Sequence, residues 1–241
     1  MTAHPHIYRR NPLHPTTLYL SHAWWTDQRG SVRTPPAPDE ADRRGIERLR
    51  VCLPDDIQPP SGWSLCKTTR LGQMRLTTPK EDFSCGLTIR RLQRNSDELA
   101  RWIDLHRQLY AETHRDNPVA PLSDDAARKL FAGEDLHPNA ILAGFEGDSM
   151  VGVSSLRSVS DDTLELGWTG LPGRIAPQET ACLVAVAAAR AQELRRDAIA
   201  VEADDTDRAL TAALRRFDIE WSETFRTYEL TCSPAEEHDQ G

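Results

Sequence analysis

The stretch Thr163-Leu164-Glu165-Leu166-Gly167-Trp168-Thr169-Gly170-Leu171-Pro172 carries a carboxylate, a hydroxyl and two glycines at a spacing that could serve chemistry. It reads as a strand. Strand side chains alternate between faces, so Glu165 points away from the apolar pair Leu164 and Leu166. A carboxylate so placed can accept a proton from a nucleophile, directly or through a water. Four residues on, Thr169, Gly170 and Leu171 offer backbone that a ligand can approach closely, because Gly170 has no side chain. If that backbone is unpaired, an extended ligand with amides of its own can complete the ladder like an added strand. The same residues also fit a buried strand with a glycine bulge and a proline terminator, with Glu165 as an ordinary solvent-facing glutamate.

The elements that must position this stretch alternate between strand and helix signals. Leu87-Thr88-Ile89-Arg90 is a strand. From Asp97, apolar Leu99, Trp102, Ile103, Leu109 and Tyr110 recur at helical spacing until Asn117-Pro118. Ser123 caps a second helix, with Asp124 and Asp125 where the dipole favours negative charge and Gly133 at its end. Residues 140–145 and 150–156 are strands joined by the turn Glu146-Gly147-Asp148-Ser149. After the strand 163–169, an Ala-rich helix runs from about Gln178 to Arg196, followed by a strand at 198–202, a helix from about Thr206 to Phe217, and strand material at 225–230. Upstream, Leu49–Leu53, Trp63–Lys67 and Gln73–Thr77 read as three short strands, and residues 30–44, rich in proline and charge, read as a linker.

This order resembles that of the GNAT (GCN5-related N-acetyltransferase) superfamily, and Leu164-Glu165-Leu166-Gly167-Trp168-Thr169-Gly170-Leu171-Pro172 resembles its fourth strand running into the pyrophosphate loop. The resemblance implies an α/β (α+β) fold: a mixed, mostly antiparallel sheet flanked by helices over residues 86–232, preceded by a smaller β-rich segment at 1–85. That segment stands as an irregular extension or as the remnant of a second GNAT half, since Pro59-Pro60-Ser61-Gly62-Trp63 is similar to the end of such a domain. The polar tail 233–241 reads as disordered. The implied activity is N-acyl transfer from acetyl-CoA or another acyl-CoA to a small-molecule amine. Glu165 is similar in position to the general base of the histone-acetyltransferase branch. Thr169, Gly170 and Leu171 correspond to the segment that holds the pantetheine arm, and Gly173, Arg174, Gln178 and Thr180 to the pyrophosphate loop. Asp207 stands where the family carries an Asn.

Two departures qualify the expectation. The loop reads Arg174-Ile175-Ala176-Pro177-Gln178-Glu179-Thr180, without its usual glycines. Pro177 removes a donor, and Glu179 would repel a pyrophosphate by roughly 1 kcal/mol or more. As a plain helix start, Pro177 and Glu179 are well chosen. The family's late-helix Tyr acid has no counterpart, its place falling near Leu214, which leaves Tyr228 as a substitute acid. Two other readings therefore stay open: a non-catalytic GNAT-fold binding module, and a transferase whose donor is a carrier-protein thioester or an aminoacyl-tRNA.

Composition bounds the rest. The 241 residues are 39% hydrophobic and 27% charged, which is ordinary globular usage. The net charge of −8 argues against a nucleic-acid partner, leaving the amine substrate, a second copy of the chain in a homodimer, or a carrier protein. No apolar run spans a membrane and no signal peptide is readable, so the expectation is a cytoplasmic protein; the Arg and Ala bias suggests a GC-rich bacterial genome. Five scattered cysteines without C-x-x-C or His spacing read as free thiols and imply no metal. Cys182 lies one turn into the long helix, where a dipole could activate it, although burial beside Leu183 is the simpler reading. His106 sits on the apolar stripe with Trp102 and Tyr110 as a core or pocket-lining residue. His22-Ala23-Trp24-Trp25 reads as packing, and Arg208, Arg215 and Arg216 as a solvated face.

Overall fold

The structure, a computed structural model, describes residues 8–20, 45–59, 61–76, 85–114, 117–172 and 177–232. The expected linker 30–44, the segment His22–Trp25, Gly173, Arg174 and the tail 233–241 lie outside the described residues. The chain divides into two compact units, one of residues 1–68, 116–120 and 224–241, the other of 69–115 and 121–223. The division falls inside strands β4 (Ser64–Arg75) and β10 (Ile219–Thr231). Residues 64–67 and 73–75 of the two stretches expected as separate strands belong to the single continuous β4, and Thr77 lies outside the described residues.

In the second unit, the hairpin β6 (Leu136–Glu146) and β7 (Ser149–Ser158) forms where the apolar runs flank the turn, with Gly147 at φ 59°. Strand order is β10-β4-β9-β8-β7-β6-β5, with β5 (Thr88–Arg91), β8 (Leu164–Leu166) and β9 (Ala198–Asp204) completing the set. The described β5–β6, β6–β7, β7–β8 and β4–β9 pairings are antiparallel, and β8 meets β9 in parallel.

Helix α1 (Glu98–Thr113) buries Leu99, Trp102, Ile103, His106 and Leu109, the stripe its periodicity requires. Helix α2 (Asp124–Phe131) starts where Ser123 Oγ accepts from the Ala126 N–H at 3.2 Å. Its last carbonyls, Leu130 and Phe131, are satisfied by the Arg157 guanidinium at 3.1 and 3.3 Å. These helices cover one sheet face, over Ile141, Ala143, Phe145 and Val153. The other face, with Leu142, Leu156, Leu164, Leu166, Ile199 and Val201, packs on α3 (Pro177–Glu193) and α4 (Arg208–Leu214). Alanines 187 and 191 bring α3 close to the sheet, and Leu183 fills the space over Gly152 and Gly144.

Gly72 is fixed by close approach. A Cβ there would lie 2.7 Å from the Glu220 carbonyl oxygen and 2.9 Å from Trp221 Cε3. Gly72→Ala must push β10 off β4, an overpacking cost of about 1–3 kcal/mol. A urea titration is expected to show a lower midpoint at unchanged slope.

In the first unit, β1 (Tyr8–Asn11) and β2 (His14–Leu20) form a hairpin, β2 runs parallel to β3 (Arg48–Pro54), and β3 pairs with residues Phe225–Thr231 of β10. Leu18, Leu20, Ile46, Leu49, Val51, Leu53 and Tyr228 are buried in it. Two polar groups inside it are paired: Arg50 with Glu229 at 2.6 Å, and Thr17 Oγ1 donating to Asn117 Oδ1 at 2.7 Å.

Candidate functional site

The chemistry-bearing stretch begins as regular strand and then leaves the ladder on one side. β8 pairs antiparallel with β7 through Leu164–Leu166, and in parallel with β9 at one residue pair, Glu165 with Ala200. Beyond it the chain keeps to β7. The Gly167 N–H donates to the Ser155 carbonyl at 2.8 Å, and Gly170 exchanges two 3.1 Å hydrogen bonds with Val153. Between these contacts Trp168 and Thr169 oppose the single residue Ser154, which is a β-bulge. The regular strand is thus shorter than the expected 163–169 because the bulge interrupts it.

Gly170 uses both its N–H and its C=O on β7, which leaves the flanking residues Thr169 and Leu171 to be accounted for. Among the described residues, no backbone group hydrogen-bonds the N–H or C=O of either. Thr169 is fully buried. Its side chain is engaged inward, Oγ1 donating to the Gly167 carbonyl at 3.0 Å and lying 2.8 Å from Ser154 Oγ, so Ser154 is the donor of that second bond. What Thr169 can offer a ligand is backbone.

Gly170 has a different cause from the one expected. The space a Cβ would take is filled by the chain's own Trp168 indole, whose Cη2 would lie 2.7 Å away. The same indole stacks on His106 (5.1 Å, 27°), which stacks in turn on Phe131 (4.3 Å, 24°). Leu171 turns its side chain onto Gly152, beside Leu183.

Glu165 is half-buried on the face opposite Leu164 and Leu166, which lie in the α3 core. Across β7 it faces Arg157, and on β9 the same face carries Ala200 and Glu202. Burial, then the Glu202 charge, raise the Glu165 pKa above the usual carboxylate range, Arg157 opposes them, and Asp135 adds to them. Arg157 is already engaged with Asp135 and the α2 carbonyls, so it does not neutralise Glu165 outright. Ser155, on the same face one pair along, leans its Oγ over Gly167; that oxygen is buried and has no hydrogen-bond partner among the described residues.

At the start of α3, Thr180 is buried and its Oγ1 has no hydrogen-bond partner among the described residues. Gln178 accepts from the Arg216 guanidinium, and Glu179 stands in the first turn. Cys182 is buried, and its thiol pKa is pushed up to about 12, by burial first and then by the Cys85 thiol, so the dipole does not activate it. Asp207 is the N-cap of α4, Oδ1 accepting from the Leu210 N–H at 3.0 Å. Tyr228 belongs to the other unit, its ring in the core with Leu20, Val51 and Leu53 and its hydroxyl donating to Gln58 Oε1 at 3.1 Å.

His106 is buried in the aromatic stack, and its Nδ1 is also without a hydrogen-bond partner among the described residues. Burial and the Arg157 charge lower its pKa to about 3, so it is neutral. Ser155 and Glu202 were not picked out by sequence reasoning; both become visible once the β7–β8–β9 register is fixed. No group of three His, Cys, Asp or Glu among the described residues could hold a metal, and no described helix is long and apolar enough to cross a membrane.

No protein-family model matches the chain, and no curated protein matches it in sequence. Among solved structures it is similar to a GCN5-related N-acetyltransferase from Sphaerobacter thermophilus, at 15% identity and a TM-score of 0.58 over 78% of this chain. The match spans 62% of that protein's length. It is also similar to the GCN5-related glucosamine N-acetyltransferase region of a fungal multi-domain GH3 β-N-acetylglucosaminidase, at 10% identity and a TM-score of 0.53 over 78% of this chain and 26% of that one. The sheet that opens between β8 and β9, with helices on both faces, therefore has the fold of the GCN5-related N-acetyltransferases.

Proposed function

We propose that the protein transfers an acetyl or other acyl group from an acyl-CoA to a small-molecule amine, with Glu165 as general base. The observation that carries this reading is the backbone of Thr169 and Leu171, just beyond the end of the β8–β9 ladder, with which no backbone group pairs among the described residues. Amides left without partners inside a protein are costly, and the amides of an extended pantetheine arm would satisfy them. The unpartnered Thr180 hydroxyl at the start of α3 is a further donor for the same arm or its phosphates. The glycine-free loop fits less well there, because Glu179 opposes a pyrophosphate.

A bound acyl-CoA supplies the acyl group as a reactive thioester. The chain's own residues do the remainder. Glu165 takes the proton of the ammonium or of the attacking amine, and its raised pKa brings it closer to neutrality, where a general base works best. Glu202 adds negative potential on the same face, which favours a cationic acceptor over a neutral one. Tyr228 has no part in this reading, its hydroxyl being engaged with Gln58.

Calorimetric titration of acetyl-CoA tests the donor. Weak binding is expected for the native chain, and about fivefold tighter binding for Glu179→Gln, which removes a repulsion of roughly 1 kcal/mol. Absence of heat from both proteins at millimolar ligand would sink the acyl-CoA reading and favour a carrier-protein or aminoacyl-tRNA donor, or a binding module.

A further inference from the structure

Arg157 is the charged residue of β7, and the sheet register sets it directly opposite Glu165. On its other side it pairs with Leu136 of β6, so its Cβ is held between two strands, about 5 Å from that of Glu165. An arginine and a glutamate so placed would ordinarily close an ion pair. Here they do not: Glu165 makes no ion pair with a described residue, and the guanidinium is drawn the other way. Its Nη1 donates to Asp135, in the turn ahead of β6, and its Nη2 to the Leu130 and Phe131 carbonyls at 3.1 and 3.3 Å. The Asp135 carbonyl accepts in turn from the Ser158 N–H at 2.7 Å, which keeps Asp135 beside the end of β7. The cation thus stands next to the Glu165 carboxylate without being bonded to it. That arrangement suits a base. A carboxylate caught in a salt bridge gives up basicity, whereas one buried beside a second carboxylate tends to stay protonated. Glu165 meets the second hazard, from burial first and then from Glu202, and a cation bonded elsewhere relieves it without capturing the carboxylate.

We propose that Arg157 is a positioning residue for Glu165, its guanidinium held off the carboxylate by Asp135 and the end of α2, so that Glu165 is left charged and free to take a proton. This rests on the reading of Glu165 as general base. The other groups that face the site among the described residues are Glu202 from β9, Asp135 from the turn ahead of β6 and His106 from α1. Gln73 of β4, opposite Ala200, carries no charge. His106 gives up its proton near pH 3 and so does not titrate alongside Glu165 at neutral pH.

The ionisation of Glu165 can be followed without turnover, by carbon-13 NMR of the full-length protein labelled at its glutamate carboxyls, with Glu165→Gln assigning the resonance. Asp135→Asn removes a negative charge and frees the guanidinium to bond Glu165, so the titration midpoint should fall. Arg157→Gln removes the cation, and the midpoint should rise, leaving the two variants at least about one pH unit apart. Arg157→Lys keeps the charge but not the fork, and should bring the midpoint back towards the native one. The rising limb of the turnover profile should move with the resonance in each variant. A role confined to ending α2 would instead lower the melting temperature of the Arg157 variants and leave the midpoint in place. Should Arg157→Gln fail to fold, Asp135→Asn still decides, because its midpoint must fall. An unmoved midpoint in Asp135→Asn, or a shift of both variants in the same direction, overturns the proposal. A midpoint that moves as stated while the turnover limb stays fixed places the failure in the general-base reading and not in the positioning of the carboxyl.

Discussion

Glu165→Gln is expected to lower turnover at pH 7 by at least about tenfold, a floor set below the factor of about 10²–10⁴ that general-base catalysis contributes. The amide keeps the shape and hydrogen-bonding capacity of the side chain but cannot take a proton. The loss should shrink at high pH, where solvent supplies free amine. The native protein should show a rising limb in its pH profile, set above the ordinary carboxylate range by burial and Glu202, and the variant should lack it. Stability separates this from a structural role. A carboxyl whose folded pKa is raised destabilises the fold once ionised, so stability falls as pH rises from the unfolded value of 4.5 through the folded one. Glu165→Gln should therefore melt no lower than the native protein at pH 7, and any gain should vanish at low pH. Equal turnover of the two proteins from pH 6 to 9 would remove Glu165 from the mechanism.

The second large effect concerns acid. His106 holds its proton only below about pH 3 in the fold, against 6.5 when unfolded. Between those values the unfolded chain binds a proton that the native one excludes. Its contribution is complete above pH 6.5 and is lost as pH falls towards 3, at up to about 1.4 kcal/mol per pH unit. His106→Phe retains a ring between Phe131 and Trp168 but has nothing to titrate. The difference in unfolding free energy between variant and native protein should grow steadily as pH is lowered from 6.5 to 4, in favour of the variant. Parallel stability curves would mean that the imidazole is hydrated and free to protonate. His14, also held below its ordinary value mainly by burial, contributes equally to both proteins and cancels from the comparison.

Much of the second unit was legible because its elements announce themselves locally. Ser123 followed by two aspartates marks a helix start, the stripe from Leu99 to Leu109 marks one face, and the turn at Gly147 fixes a hairpin. The face of Glu165 followed from alternation alone. What was not legible depends on partners far along the chain. β4 read as two strands because charged and small residues from Lys67 to Gly72 break the alternation; pairing to β9 and the close approach of β10 hold that stretch extended. The bulge at Trp168-Thr169 exists only relative to Ser154, and Glu202 becomes a neighbour of Glu165 only through the Glu165–Ala200 register. β1 and β2 were missed because their burial is supplied by β3 and by residues 117–120, which sequence pattern does not connect. Tyr228 lies in strand material as expected, and the core that receives its ring comes from β2 and β3, which sequence pattern does not connect to it.

The indole lying against Gly170 has an evolutionary consequence. No side chain can be added at position 170 while Trp168 keeps its place, and Trp168 cannot move without disturbing its stack on His106. The two positions are therefore epistatic, and the order in which they change matters. Loss of the indole first leaves Gly170 free to drift, whereas replacement of Gly170 first meets a steric barrier. Descendants of this sequence should be found with both residues, with neither, or with Gly170 alone, and the combination of Trp168 with a bulky residue at 170 should be absent.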